Sequence, residues 1–206
     1  MKAWNFLSMI GFGFLIAMFI TGCATTRLTS AWKDPSYKGQ PRKILVIGVA
    51  KKPANKRLFE DEFVRQLKAN GTDAVASYTI MPDENQGDNA LIAVKMQEQG
   101  ADAVLISRLT SKKTVDTYIP GSTTYSPASY GNWRDYYGYG LRVTSTPGYV
   151  AEDEYALMET NLYDVGNNNL IWSALSETEI QNSDQDSIKS YIGVMVKAMA
   201  GKKLLK

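Results

Sequence analysis

Cys23 is the one cysteine of the 206-residue chain, which contains no histidine. The absence of histidine excludes imidazole general bases, nucleophile–histidine pairs and histidine-ligated metals. A single thiol also excludes disulfides within the chain and zinc sites made of several cysteines. Chemistry is therefore left to carboxylates, lysines, hydroxyl groups and one thiol, and we expect no metal and no other cofactor.

The thiol of Cys23 follows a hydrophobic N-terminal segment. Lys2 precedes an apolar stretch over residues 6–20, the layout of a secretory signal, and the stretch is short for a membrane span. The residues Ile20-Thr21-Gly22-Cys23 resemble the lipobox of bacterial lipoprotein signal peptides. That resemblance implies cleavage between Gly22 and Cys23 and attachment of acyl chains, such as palmitate, to Cys23. A retained anchor helix or an ordinary signal cut elsewhere is the alternative.

The resemblance to a lipobox also predicts where the chain works. Two or three acyl chains give stable anchoring, because each buried methylene contributes about 0.8 kcal/mol and one chain alone is marginal. Residue 24 is Ala, not the Asp that retains many such lipoproteins at an inner membrane. By resemblance to sorting in Gram-negative bacteria, we expect the chain on the outer membrane, facing the periplasm, with the inner membrane as the alternative.

The charge balance of the mature chain is close to neutral. Removal of residues 1–22 takes Lys2 from 23 basic side chains, which leaves 22 against 21 acidic ones. No global field therefore indicates a nucleic-acid partner. The acidic side chains are clustered, however, since residues 143–188 contain nine of them and no lysine or arginine. This asymmetry predicts either solvated sheet edges or a surface for head-to-tail self-association or for a basic partner.

The hydrophobic pattern predicts an α/β (α+β) fold. Residues 23–42 are largely polar and are interpreted as the lipidated N-terminus and a tether, and residues 43–206 as one domain. Residues 43–49 form a near-continuous β-branched run, typical of a strand buried on both faces. A helix around 58–67, a strand at 73–78, a helix at 89–99 and a strand from 103 follow. This order predicts a sheet with a parallel core.

The C-terminal half adds a hairpin and a helix. Residues 155–163 and 170–178 alternate around Gly166-Asn167-Asn168-Asn169, which predicts two antiparallel strands. Ser183 and Asp186 resemble a capping box before a helical stripe that runs from Ile188 to Met199. The sum is a mixed sheet of about five strands in the order β-α-β-α-β, then a β-hairpin and a C-terminal helix.

A long aromatic segment interrupts this pattern. Residues 120–149 contain six tyrosines, one tryptophan and five glycines but almost no aliphatic side chains. Tyrosine gives a large amphipathic contact area at low entropic cost, and glycine lets a loop adapt, so the composition favours a binding surface. The alternative is a loop that packs its rings on its own domain. The candidate binding residues are Tyr125, Tyr130, Trp133, Tyr136, Tyr137 and Tyr139.

A second candidate binding site is the loop after the first predicted strand. Lys51, Lys52 and Arg57 lie there, next to the start of the first predicted helix. Ligands of open α/β sheets bind beyond the carboxyl ends of strands, where helix N-termini favour anions. These cations therefore suit a phosphate or a lipid head group, although no phosphate-binding glycine motif accompanies them. A solvated surface is the alternative.

Paired carboxylates are the third candidate. Glu177 and Glu179 share one face of a predicted strand, and Asp153, Glu154 and Glu159 form another acidic group. Two acids at suitable spacing can hydrolyse a glycosidic bond. Exposed strand charges are commoner, so we expect no enzyme activity.

Several segments together resemble a group of uncharacterised bacterial lipoproteins. They are the lipobox, the segments Ser30-Ala31-Trp32-Lys33-Asp34-Pro35 and Lys43-Ile44-Leu45-Val46-Ile47-Gly48-Val49, and the Tyr/Gly-rich insertion before Asn161-Leu162-Tyr163-Asp164. The predicted order of elements is also similar to periplasmic α/β domains of envelope assembly and secretion lipoproteins. Neither resemblance carries an activity, because fold does not imply function.

We therefore expect a membrane-anchored periplasmic lipoprotein that acts as a non-enzymatic binding or assembly module of the cell envelope. Its expected partners are the membrane, through the lipid, and an envelope protein or cell-wall glycan. The alternatives are a carrier or sensor of a small anionic or amphiphilic ligand, and a carboxylate-based glycan hydrolase.

Overall fold

A computed structural model of the chain describes residues 25–81, 89–124, 144–180 and 183–206. A six-stranded mixed sheet with the order β1-β8-β7-β4-β2-β3 is its main element, and β5 and β6 form a second, two-stranded sheet. This confirms the predicted mixed α/β class. The strands are β1 (Thr26–Lys33), β2 (Lys43–Val49), β3 (Asp73–Ala76), β4 (Ala103–Ile119), β5 (Ser122–Thr124), β6 (Thr144–Thr146), β7 (Tyr149–Asp164) and β8 (Leu170–Glu179). The helices are α1 (Pro53–Ala69), α2 (Asn89–Gln99) and α3 (Asp184–Gly201).

The parallel part of the sheet is centred on β2. This strand pairs in parallel with β3 on one side and with β4 on the other. Its side chains alternate between two cores: Ile44 and Val46 pack with α1, whereas Leu45 packs with Met96 of α2. A strand with helices on both faces must be apolar at successive positions, and this accounts for the continuous β-branched run.

The larger core lies on the sheet face covered by α1 and α3. The ring of Phe59 lies 5.2 Å from that of Phe63 and 5.7 Å from that of Tyr191, so the two helices meet through aromatic contacts. The predicted stripe of α3 faces this core, with Ile192, Met195 and Met199 fully buried. Among the described residues, no helix combines the length and hydrophobicity needed to cross a membrane.

Two helix ends are stabilised by local features. Asn70 is the C-cap residue of α1, and Gly71 takes a φ of 81°, a left-handed conformation that glycine adopts without a steric penalty. At the start of α3, the Ser183 hydroxyl oxygen accepts a hydrogen bond from the Asp186 backbone N–H at 3.4 Å. This side-chain cap satisfies one of the amides that a helix leaves unpaired at its first turn.

The prediction of a tether over residues 23–42 is corrected where residues 26–33 form β1. This strand pairs antiparallel with β8 at the edge of the sheet. It has a neighbour on one side only, and a register shift between Leu28 and Ser30 interrupts its alternation. One of its buried contacts is polar, since the Thr26 and Thr178 hydroxyls lie 2.9 Å apart in a hydrogen bond. A strand of this kind needs no regular apolar pattern, so the sequence of β1 resembles that of a polar linker.

The antiparallel strands β4 and β7 are longer than predicted and leave the sheet together. Tyr155 is the last residue of β7 with a partner on β8, where it pairs with Glu179. Beyond it, six more residue pairs join 114–119 to 149–154. We call this two-stranded extension the ribbon. The strands β5 and β6 continue from the ribbon, so both ends of the segment predicted as a loop at 120–149 form strands. Residues 125–143, between β5 and β6, lie outside the described residues.

Candidate functional site

Several elements meet at one end of the sheet, which we call the anchor end because β1 begins there. Thr26 at the start of β1 pairs with Thr178 near the end of β8, and the Thr25 carbonyl accepts from the Glu179 backbone N–H at 2.9 Å. The strand β2 points toward the same end. Both α1 and α3 begin there, and an Asn55 amide N–H donates to the Asp184 carboxylate at 3.2 Å across their first turns.

The cations predicted to bind an anion lie at the anchor end. Lys51 and Lys52 are exposed in the loop between β2 and α1. Arg57 is exposed on α1, where its guanidinium carbon lies 5.6 Å from the centroid of the Tyr78 ring, within the range of a cation–π contact. The structure thus brings these three side chains to one region, on the solvent side of the first turns of α1.

A buried carboxylate occupies the position where this type of sheet would hold an anion. The Glu60 side chain is fully buried and accepts hydrogen bonds from the Gly48 backbone N–H at 2.9 Å and the Tyr78 backbone N–H at 3.0 Å. The Ser77 hydroxyl donates to it at 2.7 Å, and the Lys56 ammonium lies 3.9 Å away. The backbone N–H groups of Gly48 in β2 and of Tyr78 after β3 therefore have a hydrogen-bond acceptor within the chain.

The space beside Glu60 is also filled. A Cβ atom built on Gly48 would lie 2.9 Å from the Phe59 ring, closer than real Cβ contacts. Glycine is required here because helix α1 packs directly against the end of β2. The Glu60 carboxylate and the Phe59 ring therefore fill the space at the end of β2.

A second buried polar group lies deeper between β4, β7 and α3. The Ser107 hydroxyl lies 2.7 Å from that of Thr160 and 3.1 Å from that of Tyr191, and Thr160 and Tyr191 also share a hydrogen bond. Burial raises the pKa of Tyr191 to about 12. This phenol is bonded to two hydroxyls inside the core and packs α3 against β4 and β7.

Three of the five candidate acids, Glu154, Glu159 and Glu177, are paired with cations of other strands. Glu177 contacts Arg27 at 2.6 Å and Lys113 at 3.6 Å, and the hydrogen bond from Arg27 lowers the pKa of Glu177. Glu159 accepts two hydrogen bonds from Arg108, at 2.8 and 2.6 Å, which lower its pKa.

Glycoside hydrolysis needs one carboxylic acid kept protonated by a raised pKa. The lowered pKa values of Glu159 and Glu177 work in the opposite direction. The Glu154 carboxylate also has a cation beside it, because the Lys112 ammonium nitrogen lies 3.1 Å away. These pairs also balance the acidic region of the sequence, because cations from β1 and β4 lie beside the acids of β7 and β8.

The ribbon presents large apolar side chains to solvent. Its last two residue pairs are Tyr118 with Val150 and Ile119 with Tyr149. Their side chains are 67%, 58%, 38% and 57% exposed, respectively. Sequence reasoning did not single out this group, although residues 117–124 and 144–151 are all uncharged, which is a signal in the sequence.

Two glycines join the ribbon to β5 and β6. A Cβ atom on Gly121 would lie 2.5 Å from the Thr146 carbonyl oxygen and 2.8 Å from the Gly148 backbone nitrogen. A residue with a Cβ atom would not fit at position 121 without a backbone shift. The two chain segments that join the ribbon to β5 and β6 are therefore in close backbone contact. The predicted binding residues Tyr125, Tyr130, Trp133, Tyr136, Tyr137 and Tyr139 follow β5 and lie outside the described residues, as Gly22 and Cys23 do.

No protein-family model matches the chain, and no curated protein matches its sequence. The structure is similar to PelC in a dodecamer from Paraburkholderia phytofirmans, with a TM-score of 0.45 and 13% identity over 85% of this chain and 95% of that one. It is also similar to lipoprotein GNA1162 from Neisseria meningitidis, with a TM-score of 0.41 and 17% identity over 79% of this chain and 98% of that one. At TM-scores this low, the likenesses carry no argument about binding or activity.

Proposed function

We propose that the chain is a lipid-anchored, non-enzymatic binding module of the bacterial cell envelope. In this proposal Cys23 carries the lipid, and the ribbon presents residues 125–143 to an envelope protein or a cell-wall glycan. The observation that carries the proposal is the ribbon itself, whose six residue pairs extend beyond the last strand partner on β8.

The ribbon has features expected of a presenting element. An isolated two-stranded structure is at best marginally stable in water, so this extension adds little to the stability of the fold. It nevertheless continues into β5 and β6, directly before and after the segment with five tyrosines and one tryptophan. Rings on an adaptable backbone give a large contact area at low entropic cost.

The non-enzymatic part of the proposal is supported by the bonding of the polar groups. Glu60 holds backbone amides of its own chain, and Tyr191 bonds to buried hydroxyls. Glu159 and Glu177 are held by arginines. Each of these groups is already engaged in stabilising the fold.

The lipid anchor is tested by intact-mass measurement of the chain purified from membranes. The proposal predicts a chain that begins at residue 23 and carries the added mass of acyl groups there. A chain with a free thiol at residue 23, or one recovered from the cytosol, would contradict it.

The role of the ribbon is tested by shortening it. Ile119 and Tyr149 face each other across the ribbon, so an Asn-Gly turn can replace residues 120–148 and close the two strands as a hairpin. A matched control keeps the length of the segment but replaces its aromatic residues with serine. Crosslinking in membranes, followed by mass spectrometry, should show that both variants lose partners captured by the wild type while their melting temperatures remain unchanged. Identical partners in all three proteins would refute the proposed role.

A further inference from the structure

The start of β1 restricts how far the domain can lie from the lipid. Thr26 is three residues after Cys23. An extended chain covers at most about 3.3–3.6 Å per residue, so a lipid on Cys23 could be at most about 11 Å from the start of the strand. The anchor end of the sheet therefore has to lie close to the bilayer that holds the acyl chains.

The ribbon extends from this same end of the sheet. Thr26, Thr178 and Ala156 lie side by side on β1, β8 and β7. From Ala156 the strand β7 continues for seven residues to Tyr149, which corresponds to about 24 Å at 3.4 Å per residue. The ribbon thus reaches about twice as far beyond the level of Thr26 as a three-residue connection can span.

The outer part of the ribbon has the composition of a membrane-interface contact. We call Tyr118, Ile119, Tyr149 and Val150 the apolar band. The band is exposed, and the uncharged residues 117–124 and 144–151 surround it. Asp116 and Glu152, which face each other on the sheet side, mark where charge begins. Tyrosine is enriched where a bilayer meets water, because its ring is apolar and its hydroxyl is polar.

We propose that the apolar band lies at the boundary between head groups and acyl chains, in the leaflet that holds the lipid of Cys23. The chain then has a second, peripheral contact with the membrane. This inference rests on the lipid anchor of the proposed function and adds an orientation, with the ribbon toward the bilayer and the opposite end of the sheet away from it. A partner of residues 125–143 then has to meet them at the membrane surface.

Electrostatic attraction is a minor part of this contact. Lys51 and Lys52 are exposed at the anchor end and favour anionic lipid. Asp184 and Asp186, exposed in the first turn of α3, and the exposed ribbon acids Asp116, Glu152 and Glu154 oppose it. Because these acids outnumber the two lysines, we expect the contact to depend on apolar burial and to persist at high salt.

The absence of a second cysteine makes this inference straightforward to test. In the mature lipidated chain the sulfur of Cys23 is blocked, so an introduced cysteine is the one free thiol. A nitrobenzoxadiazole label is placed at Val150→Cys on the band. The matched control is Ala69→Cys, an exposed position at the end of α1 remote from the anchor end. Both full-length proteins are reconstituted in vesicles of phosphatidylethanolamine and phosphatidylglycerol that contain a lipid with a nitroxide at a shallow acyl position.

The inference predicts blue-shifted emission and nitroxide quenching of the label at residue 150, in low and high salt, and neither effect at residue 69. Replacement of Tyr118 and Tyr149 with serine should reduce the quenching at residue 150 while the lipid still holds the protein on the vesicles. Equal quenching at both positions, or loss of quenching at high salt, would overturn it. Shielding of residue 150 in native membranes but not in these vesicles would instead indicate a protein on the band, and would also overturn it.

The same experiment separates this inference from the proposed function. A chain that does not sediment with the vesicles lacks the lipid anchor, and both proposals then fail. A chain that sediments without quenching at residue 150 retains the anchor and overturns the apolar band alone.

Discussion

Replacement of Glu60 is the perturbation with the largest expected effect on the fold. In Glu60→Ala, the Gly48 and Tyr78 amides and the Ser77 hydroxyl lose the acceptor that lies 2.7–3.0 Å from them. Lys56, itself 1% exposed, loses the carboxylate 3.9 Å from its ammonium group.

The magnitude follows from two estimates that overlap. A hydrogen bond to a charged group contributes about 1.5–3 kcal/mol net, and removal of one partner of a buried ion pair costs about 3–5 kcal/mol. These effects share one side chain and do not add. We therefore expect Glu60→Ala to reduce the free energy of unfolding by about 4 kcal/mol, a large part of the roughly 5–15 kcal/mol typical of a domain.

Urea unfolding, followed by circular dichroism, measures this change as a shift of the midpoint. The matched control is Glu98→Ala, which removes an exposed i,i+3 partner of Lys95 and should change the free energy of unfolding by about 0.5 kcal/mol or less. Glu60→Gln should lie between Glu60→Ala and the wild type, because its amide oxygen still accepts from some of the donors. A Glu60→Ala protein within about 1 kcal/mol of the wild type would refute the reasoning that this carboxylate is the internal anion of the sheet.

Three further predictions concern the buried hydroxyls, the strand ion pairs and the glycine at the end of β2. The pKa of Tyr191 is about 12 in the fold and near 10 when unfolded, so stability should fall by about 1.4 kcal/mol per pH unit between these values, and Tyr191→Phe should lack this slope in alkaline unfolding experiments. Arg108→Gln should raise the pKa of Glu159 toward its ordinary value in an NMR titration. In the wild type, the stability that comes from the lowered pKa of Glu159 is present above the ordinary pKa and is lost as the pH falls. An unchanged pKa of Glu159 in the variant would contradict the pairing. Gly48→Ala should lower the free energy of unfolding by about 1–3 kcal/mol through overlap with Phe59, and Phe59→Leu in that background should recover part of the melting temperature; a neutral Gly48→Ala would show that the contact relaxes freely.

The sequence predicted the parallel core because its signals are local. A continuous β-branched run marked β2, turn residues marked the β7–β8 connection, and helical periodicity marked α1 and α3. The edge strand β1 carries no comparable signal. It has a partner on one side only and a register shift near Leu28, so its exposed and buried residues do not alternate regularly.

The buried charges of α1 were out of reach for a related reason. Helical periodicity places Lys56 and Glu60 on the solvated face of α1, although they are 1% and 0% exposed. Three of the partners of Glu60, namely Gly48, Ser77 and Tyr78, lie more than ten residues away in the chain. The i,i+4 spacing of Lys56 and Glu60, followed by the buried Phe63 and Leu67, was the signal in the sequence. Periodicity alone, however, assigns charged residues to the surface.

The ribbon depends on pairing that no single segment reveals. Residues 110–119 have few apolar side chains, and the residues they pair with begin at Tyr149, on the far side of the aromatic segment. Cross-strand register over such a separation is set by tertiary structure. The composition of residues 120–149 indicated a binding segment, whereas the strands that carry it became evident from the fold.

The most direct test of the account is photocrosslinking from the ribbon in intact cells. A benzophenone amino acid at Thr123 on β5 samples what the ribbon presents, and the same group at Ala69, exposed at the opposite end of α1, is the control. The account predicts discrete crosslinked species, to an envelope protein or to cell-wall glycan, from Thr123 and none of them from Ala69. The same species from both positions, or none from Thr123, would contradict it.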